Sequence, residues 1–241
     1  MHREWQIIDT GPGSATENMA IDKRLLENLA PSQPLLHFYD WIGDCATYGH
    51  FTRPEEHFNL TQSNSKPLQL AKRSTGGGII FHLYDLAFSV LLPADHPEFS
   101  INTLENYAFV NRKIVFAIHS FSGKALMPEL LPQKHLSKNL AQFCMAKPTV
   151  FDIIVNGKKV CGGAQRRTRL GFLHQGSISL SMPSVDYLSA VLNNGAAIAQ
   201  AMQHQSYLLL GEQCTQQELK EARQHLKNLI IHEFQKFQII T

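Results

Sequence analysis

The sequence predicts one mixed α/β domain, on three observations. Strand-like runs cluster in the middle of the chain, and helical periodicity appears before, between and after them. No repeat, low-complexity tract or linker divides the 241 residues, a length that can bury an ample core. The expectation is a single domain over residues 1–241, with a C-terminal helical segment from about residue 184 and no separate accessory domain.

Residues 16 to 29, TENMAIDKRLLENL, set Met19, Ala20, Leu25, Leu26 and Leu29 on one helical stripe, with Glu17 near the positive N-terminal end. Pro31 and Pro34 stop that helix. LLHFYDW reads as a strand, and DCATYGHF as a second strand or an extended turn. Residues 61 to 67, TQSNSKP, have loop composition. IIFH and LAFSVLLP read as two strands, or as one strand broken near Tyr84 and Asp85. Residues 102 to 121 return to helical spacing through Leu104, Tyr107, Ala108, Val110, Ile114, Val115 and Ile118. VFDIIVNGKKV carries Asn156-Gly157 between β-branched arms, the strongest short-range signal for a type I′ hairpin. FLHQGSISLSM is a further strand. Thr215-Gln216-Gln217-Glu218 is a capping box that opens a helix through Leu219, Ala222, Leu226, Leu229, Ile230 and Phe234.

Composition removes several function classes. An apolar content of 44% with 17% charged residues is that of an ordinary soluble globular protein. The formal net charge of +2 is too small to argue for nucleic acid. No apolar run approaches the roughly 18–20 residues of a membrane span, and the polar start MHREWQIIDT lacks a signal-peptide core. Cys45, Cys144, Cys161 and Cys214 lie far apart with no CxxC pair, which argues against zinc and a disulfide framework. The 12 histidines are scattered without an HExxH pattern, so no metal is expected. A reducing, cytoplasmic setting follows as the default.

Two stretches carry chemistry. In KRSTGGGIIFH, three adjacent glycines give up much conformational entropy on folding, so something must approach that backbone closely. The stretch lacks the Lys-Ser/Thr of a phosphate loop and runs into a strand, and there is no GxGxxG or GxSxG. A glycine bulge or tight strand connection accounts for it as well as a binding loop does. Arg73 favours binding, because a guanidinium can fork onto an anionic or carbonyl oxygen while glycine amides approach the same group. The second stretch is CMAKPTVFDIIVNGKKVCGGAQRR. Here Lys158 and Lys159 leave the Asn-Gly turn before Gly162-Gly163. A strand-held lysine can stabilise a developing oxyanion, and a cysteine beside a cation becomes a nucleophile. Cys144 and Cys161 each fit the nucleophile or an inert packing thiol, the lysines fit a solvated turn, and His82 and His174 fit general bases or structural histidines.

Together, IIDTGPGSATENMAID, RSTGGGIIFH, FDIIVNGKKVCGGAQRR and LHQGSISL resemble the lipoate–protein ligase and octanoyltransferase superfamily, in the family's order over about residues 5 to 181. The resemblance implies a biotin/lipoate ligase-like catalytic domain with a mixed, largely antiparallel central sheet flanked by helices. It also implies an eight-carbon acyl substrate (octanoyl or lipoyl) and an acceptor lysine on a lipoyl domain of a 2-oxoacid dehydrogenase complex or on glycine cleavage H protein. Arg73, Gly76, Gly77 and Gly78 match the loop lining the acyl site, and His82 ends that motif. Lys159 matches the lysine that contacts the acyl carbonyl, with Gly162 and Ala164 after it. His174, Gly176 and Ser177 match the strand that completes the pocket.

Two reactions share these motifs. A ligase uses ATP and Mg²⁺ to form an acyl-adenylate. An octanoyltransferase needs neither and takes octanoyl from acyl carrier protein, one branch through a cysteine thioester. Cys144, followed by Pro148 and Thr149, resembles that branch's Cys-x-x-x-Pro-Ser segment, and a Cys144 transferase is the leading expectation. Asp152 stands where ligases carry an Asn-Asp pair for nucleotide and Mg²⁺, but Phe151 replaces its partner. His37 stands where the family commonly has arginine, and Cys161 where it has a small residue. A non-catalytic acyl- or lipoyl-domain-binding protein is the remaining alternative.

Overall fold

A computed structural model describes residues 4–59, 68–131 and 152–236. Cys144, Pro148, Thr149 and Phe151 lie outside the described residues.

The large sheet has seven strands: β1 (Gln6–Gly13), β2 (Leu35–Trp41), β6 (Asp85–Pro93), β7 (Glu129–Leu130), β8 (Ile153–Val155), β9 (Lys158–Arg167) and β10 (Gly171–Ser179). Their spatial order is β1-β2-β6-β10-β9-β8-β7, with β1 parallel to β2 and every other pairing antiparallel. A second sheet of β3 (Cys45–Tyr48), β4 (Gln69–Lys72) and β5 (Ile79–Phe81) has the order β4-β3-β5. IIFH and LAFSVLLP are therefore two strands, in different sheets. The expected mixed, mostly antiparallel architecture is what the chain adopts.

Strand β6 is buried along its whole length and shows how the layers form. Leu86, Phe88, Val90 and Leu92 point to one face, packing with Val110, Ile114 and Ile118 of α2 (Thr103–Phe121) and Leu226 and Ile230 of α5 (Gln216–Gln235). Ala87 and Leu91 point to the other, toward Ala15, Met19 and Leu26 of α1 (Ala15–Glu27). Period-2 alternation thus feeds two separate cores. The small sheet lies on the α1 side and buries Ala46, Ile79 and Phe81 against α3 (Val185–Val191) and α4 (Gly195–Gln205).

Local signals explain the boundaries. Ser14 and Glu17 form a capping box at the start of α1, and Thr215 and Glu218 form the expected one at α5. Asn156 and Gly157 turn between β8 and β9 with φ of 51° and 75°, the left-handed pair a type I′ turn requires. None of the described helices is long and apolar enough to cross a membrane.

Candidate active site

The site begins with a β-bulge. Ile153 pairs with Cys161 but Ile154 pairs with Lys159, so Val160 is an extra residue in β9. Val160 and Cys161 consequently both enter the α2–α5 core. Strict alternation would send Lys159 to that side as well. The bulge turns it to the α1 side, where its ammonium meets the Asp152 carboxylate at 2.7 Å, with both side chains 3% exposed. Gly162 completes the cradle. A Cβ there would lie 2.4 Å from Lys159 Cε and 2.5 Å from Nζ, so only glycine leaves room for the lysine.

Gly162 pairs with Ser177 of β10, and the polar groups continue from there. Ser177 Oγ donates to Asp85 Oδ2 at 2.6 Å, and that oxygen also meets His82 Nδ1 at 2.8 Å. His82 Nε2 lies 2.7 Å from the Thr47 hydroxyl, and the ring stacks on Trp41 at 4.0 Å. Burial alone would raise the Asp85 pKa. The His82 imidazole, the Ser177 donor and Arg223 outweigh it and hold the carboxyl below the usual carboxylate range.

Arg73 shapes the glycine loop from within. Its guanidinium is buried and donates to Thr47 Oγ1 at 2.8 Å, to the Gly76 carbonyl at 3.0 Å and to the Gly78 carbonyl at 2.7 Å. Those contacts fold the loop around the guanidinium. Gly49 backs the loop so closely that a Cβ there would lie 1.9 Å from the Gly77 carbonyl. Thr75 fastens the loop to the large sheet by donating to Gln175 Oε1 at 2.7 Å. Gln175 in turn donates to Asp22 of α1 at 2.6 Å, and Asp22 meets His37 Nδ1 at 2.8 Å. The imidazole of His37 thus serves as a buried partner of a carboxylate.

Strand β10 divides the remaining sequence candidates. Gln175 and Ser177 face α1, the glycine loop and Lys159. His174 and Gly176 face α2, which corrects the expectation that they share one pocket wall with Ser177. The cause is the pleat: neighbouring residues of a strand point to opposite faces. His174 stacks with Phe88 and meets the edge of Tyr107. Gln165 Nε2 donates to its Nδ1 at 3.0 Å, which leaves the ring proton on Nε2, above the Cα of Gly163. Burial pushes the pKa of this imidazole down to about 3, so it is neutral. Ala164, paired with Gln175, lies on the Lys159 face.

Cys161 is fully buried and its thiol is raised strongly, first by burial and then by Asp152, which marks a packing residue rather than a nucleophile. Asp85, Thr47, Thr75, Gln175 and Trp41 went unnoticed in the sequence. The spacing of Asp85 three residues after His82, and the polar beat of Gln175, Ser177 and Ser179 in a wholly buried strand, were the available signals.

Known proteins resemble this chain over most of its length. Octanoyltransferase LipM of Carboxydothermus hydrogenoformans is 30% identical over 190 residues, 78% of this chain and 69% of its own length. Octanoyltransferase LipM of Brevibacillus brevis is 29% identical over 195 residues, 79% of this chain and 70% of its own. The solved structure of a bi-partite lipoate protein ligase and its E2 lipoyl domain from Thermoplasma acidophilum shares the fold, with a TM-score of 0.67 at 20% identity, covering 96% of this chain and 85% of that one. The family model of the lipoyl protein ligase A/B catalytic domain matches residues 14–235, and the chain belongs to that family.

Proposed function

We propose that the chain transfers an octanoyl group from a carrier-bound thioester to a lysine of a lipoyl domain, through a thioester on Cys144. The observation that carries this reading is the Lys159 ammonium, buried over Gly162 on the sheet face to which Thr75 ties the Arg73-shaped glycine loop. A preorganised cation of that kind stabilises an oxyanion where charge develops during acyl transfer. Similarity to two octanoyltransferases over most of the chain supports the choice of acyl group.

In the first step the Cys144 thiolate attacks the thioester carbonyl. Charge collects on the carbonyl oxygen opposite Lys159, and the donor leaves as a thiolate that takes up a proton. The neutral amine of the acceptor lysine then attacks the Cys144 thioester. It loses a proton as the amide forms, and the Cys144 thiolate is released. No cofactor enters. Free thiolate chemistry suits a reducing, cytoplasmic setting. The C-terminal helices act within the same domain, because α4 and the strand-like stretch after it brace Lys159: Tyr207 N donates to the Lys159 carbonyl at 2.7 Å.

The adenylate route would place Mg²⁺ and nucleotide near Asp152. In this structure that carboxylate is engaged by the Lys159 ammonium at 2.7 Å, so the ligase reading requires the pair to open. Among the described residues no group of three His, Cys, Asp or Glu side chains could hold a metal ion. Intact mass after incubation with octanoyl-acyl carrier protein decides the matter. One added octanoyl group, absent in Cys144→Ala, is expected. Transfer without that adduct would overturn the covalent step. Lipoate-dependent pyrophosphate release would establish the ligase, and octanoate binding without turnover on several lipoyl domains would establish a binding protein.

A further inference from the structure

The strand that carries Lys159 ends in a basic tip. Arg166 and Arg167 close β9, Arg169 and Leu170 lie in the turn to β10, and all four are exposed. None of these three guanidiniums has a carboxylate partner among the described residues. Two of them touch backbone carbonyls instead. Arg166 reaches Ser74, two residues before Gly76, at 3.5 Å, and Arg167 reaches Ile101 just before α2. The nearby Glu105 is engaged by Ser100 and Asn102. Apolar side chains stand around the cations: Ile101 is 86% exposed, Leu104 39% and Leu170 43%.

Unpaired arginines among exposed aliphatic groups suit an anionic surface that also offers apolar contacts. Nucleic acid fits poorly, because the described tip offers no aromatic platform for bases and the whole chain carries only +2. The position narrows the partner further. Arg166 reaches the segment that leads into the glycine loop, which the reading above places at the acyl site. Along β9, Lys159 lies seven residues back from Arg166, about 23 Å at ~3.3 Å per residue. A protein seated on the tip can reach that depth only with an extended arm.

We propose that this hairpin tip docks the acidic carrier protein that delivers the acyl thioester, an assignment that rests on the reading of the chain as a transferase with a carrier-bound donor. Rim charges of this kind act mainly on encounter rate and are screened by salt. The test compares the wild-type chain with the triple variant Arg166→Glu, Arg167→Glu, Arg169→Glu on two donors: octanoyl-acyl carrier protein and the small thioester octanoyl-N-acetylcysteamine. The expected result is a loss of about tenfold or more in kcat/KM with the carrier donor, while the small donor is unchanged. Wild-type turnover on the carrier should also fall with added salt, and that fall should be lost or reversed in the variant, where salt screens a repulsion instead. Equal loss on both donors, no loss on either, or a defect confined to the KM of the lipoyl-domain acceptor would each overturn the docking assignment. If the wild-type chain transfers from neither donor, the transferase reading fails. Calorimetric titration with apo acyl carrier protein then still tests the surface. Binding that the triple variant loses supports it, and absence of wild-type binding, or equal binding by both, overturns it.

Discussion

Acidification between pH 6.5 and 5 should destabilise the fold through one buried ring. His174 is wholly buried, and its imidazole is held neutral with its pKa pushed down to about 3. In the unfolded chain the same group has the ordinary value of about 6.5. The folded value is the lower one, so between these limits the unfolded chain binds a proton that the native chain refuses. Stability is complete above about pH 6.5 and falls as the pH drops through that window. The slope approaches about 1.4 kcal/mol per pH unit, so a shift from pH 6.5 to 5 removes about 2 kcal/mol. Urea unfolding of the wild-type chain and of His174→Asn at both pH values measures this. The variant loses some stability at every pH, because the ring packs against Phe88 and Tyr107. The difference between the two proteins should nevertheless shrink by about 2 kcal/mol on acidification. An unchanged difference, or a His174 ring that titrates near 6.5 by NMR, would refute the reasoning.

Other perturbations probe the opposite face. Gly162→Ala drives a methyl group into the end of Lys159, so the lysine should swing out of its pair with Asp152; octanoyl transfer should fall at least about a hundredfold, and the melting temperature should fall as well because the Asp152 carboxylate loses its buried partner. Asp152→Asn removes one member of a buried ion pair and should cost about 3–5 kcal/mol in denaturant unfolding; a loss below about 1 kcal/mol would mean that the pair is effectively solvated. Thr75→Val leaves Gln175 Oε1 without its donor, which should cost about 1–3 kcal/mol. It also frees the glycine loop from the sheet, so KM for the acyl donor should rise more than kcat falls. A change in kcat alone would show that the loop is held by Arg73 without help.

Much of the fold was legible in the sequence where a local rule and the tertiary structure agree. The Asn156-Gly157 hairpin, the Thr215 capping box and the periodicity of α2 each depend on neighbours in the chain, and each formed as expected. Strand β1 escaped notice because Gly11-Pro12-Gly13 reads as a turn; its pairing with β2 shifts between Asp9 and Pro12, and Gly11 has φ 68°. Strand β4, at four residues, is too short to show a period. The site motifs were visible as words, but their geometry was not. Whether Lys159 points to the glycine loop or away from it depends on the extra residue Val160, which no residue type announces. Arg73 read as a ligand for an outside group, and only the folded loop places the Gly76 and Gly78 carbonyls on it.

The division of β10 into two faces has a consequence for how such chains tolerate changes of length. Inserting one residue within β10 would exchange Gln175 and Ser177 with His174 and Gly176, moving an imidazole toward the lysine and the serine under α2. Two inserted residues would restore the faces. Length variation among relatives should therefore gather in the exposed turn at residues 168–170, where it disturbs neither side, and inside the strand it should come only in pairs. The arginine-bearing tip is thus the place on β9 and β10 where length and sequence can drift, and with them the choice of partner, while the spacing of the polar groups stays fixed.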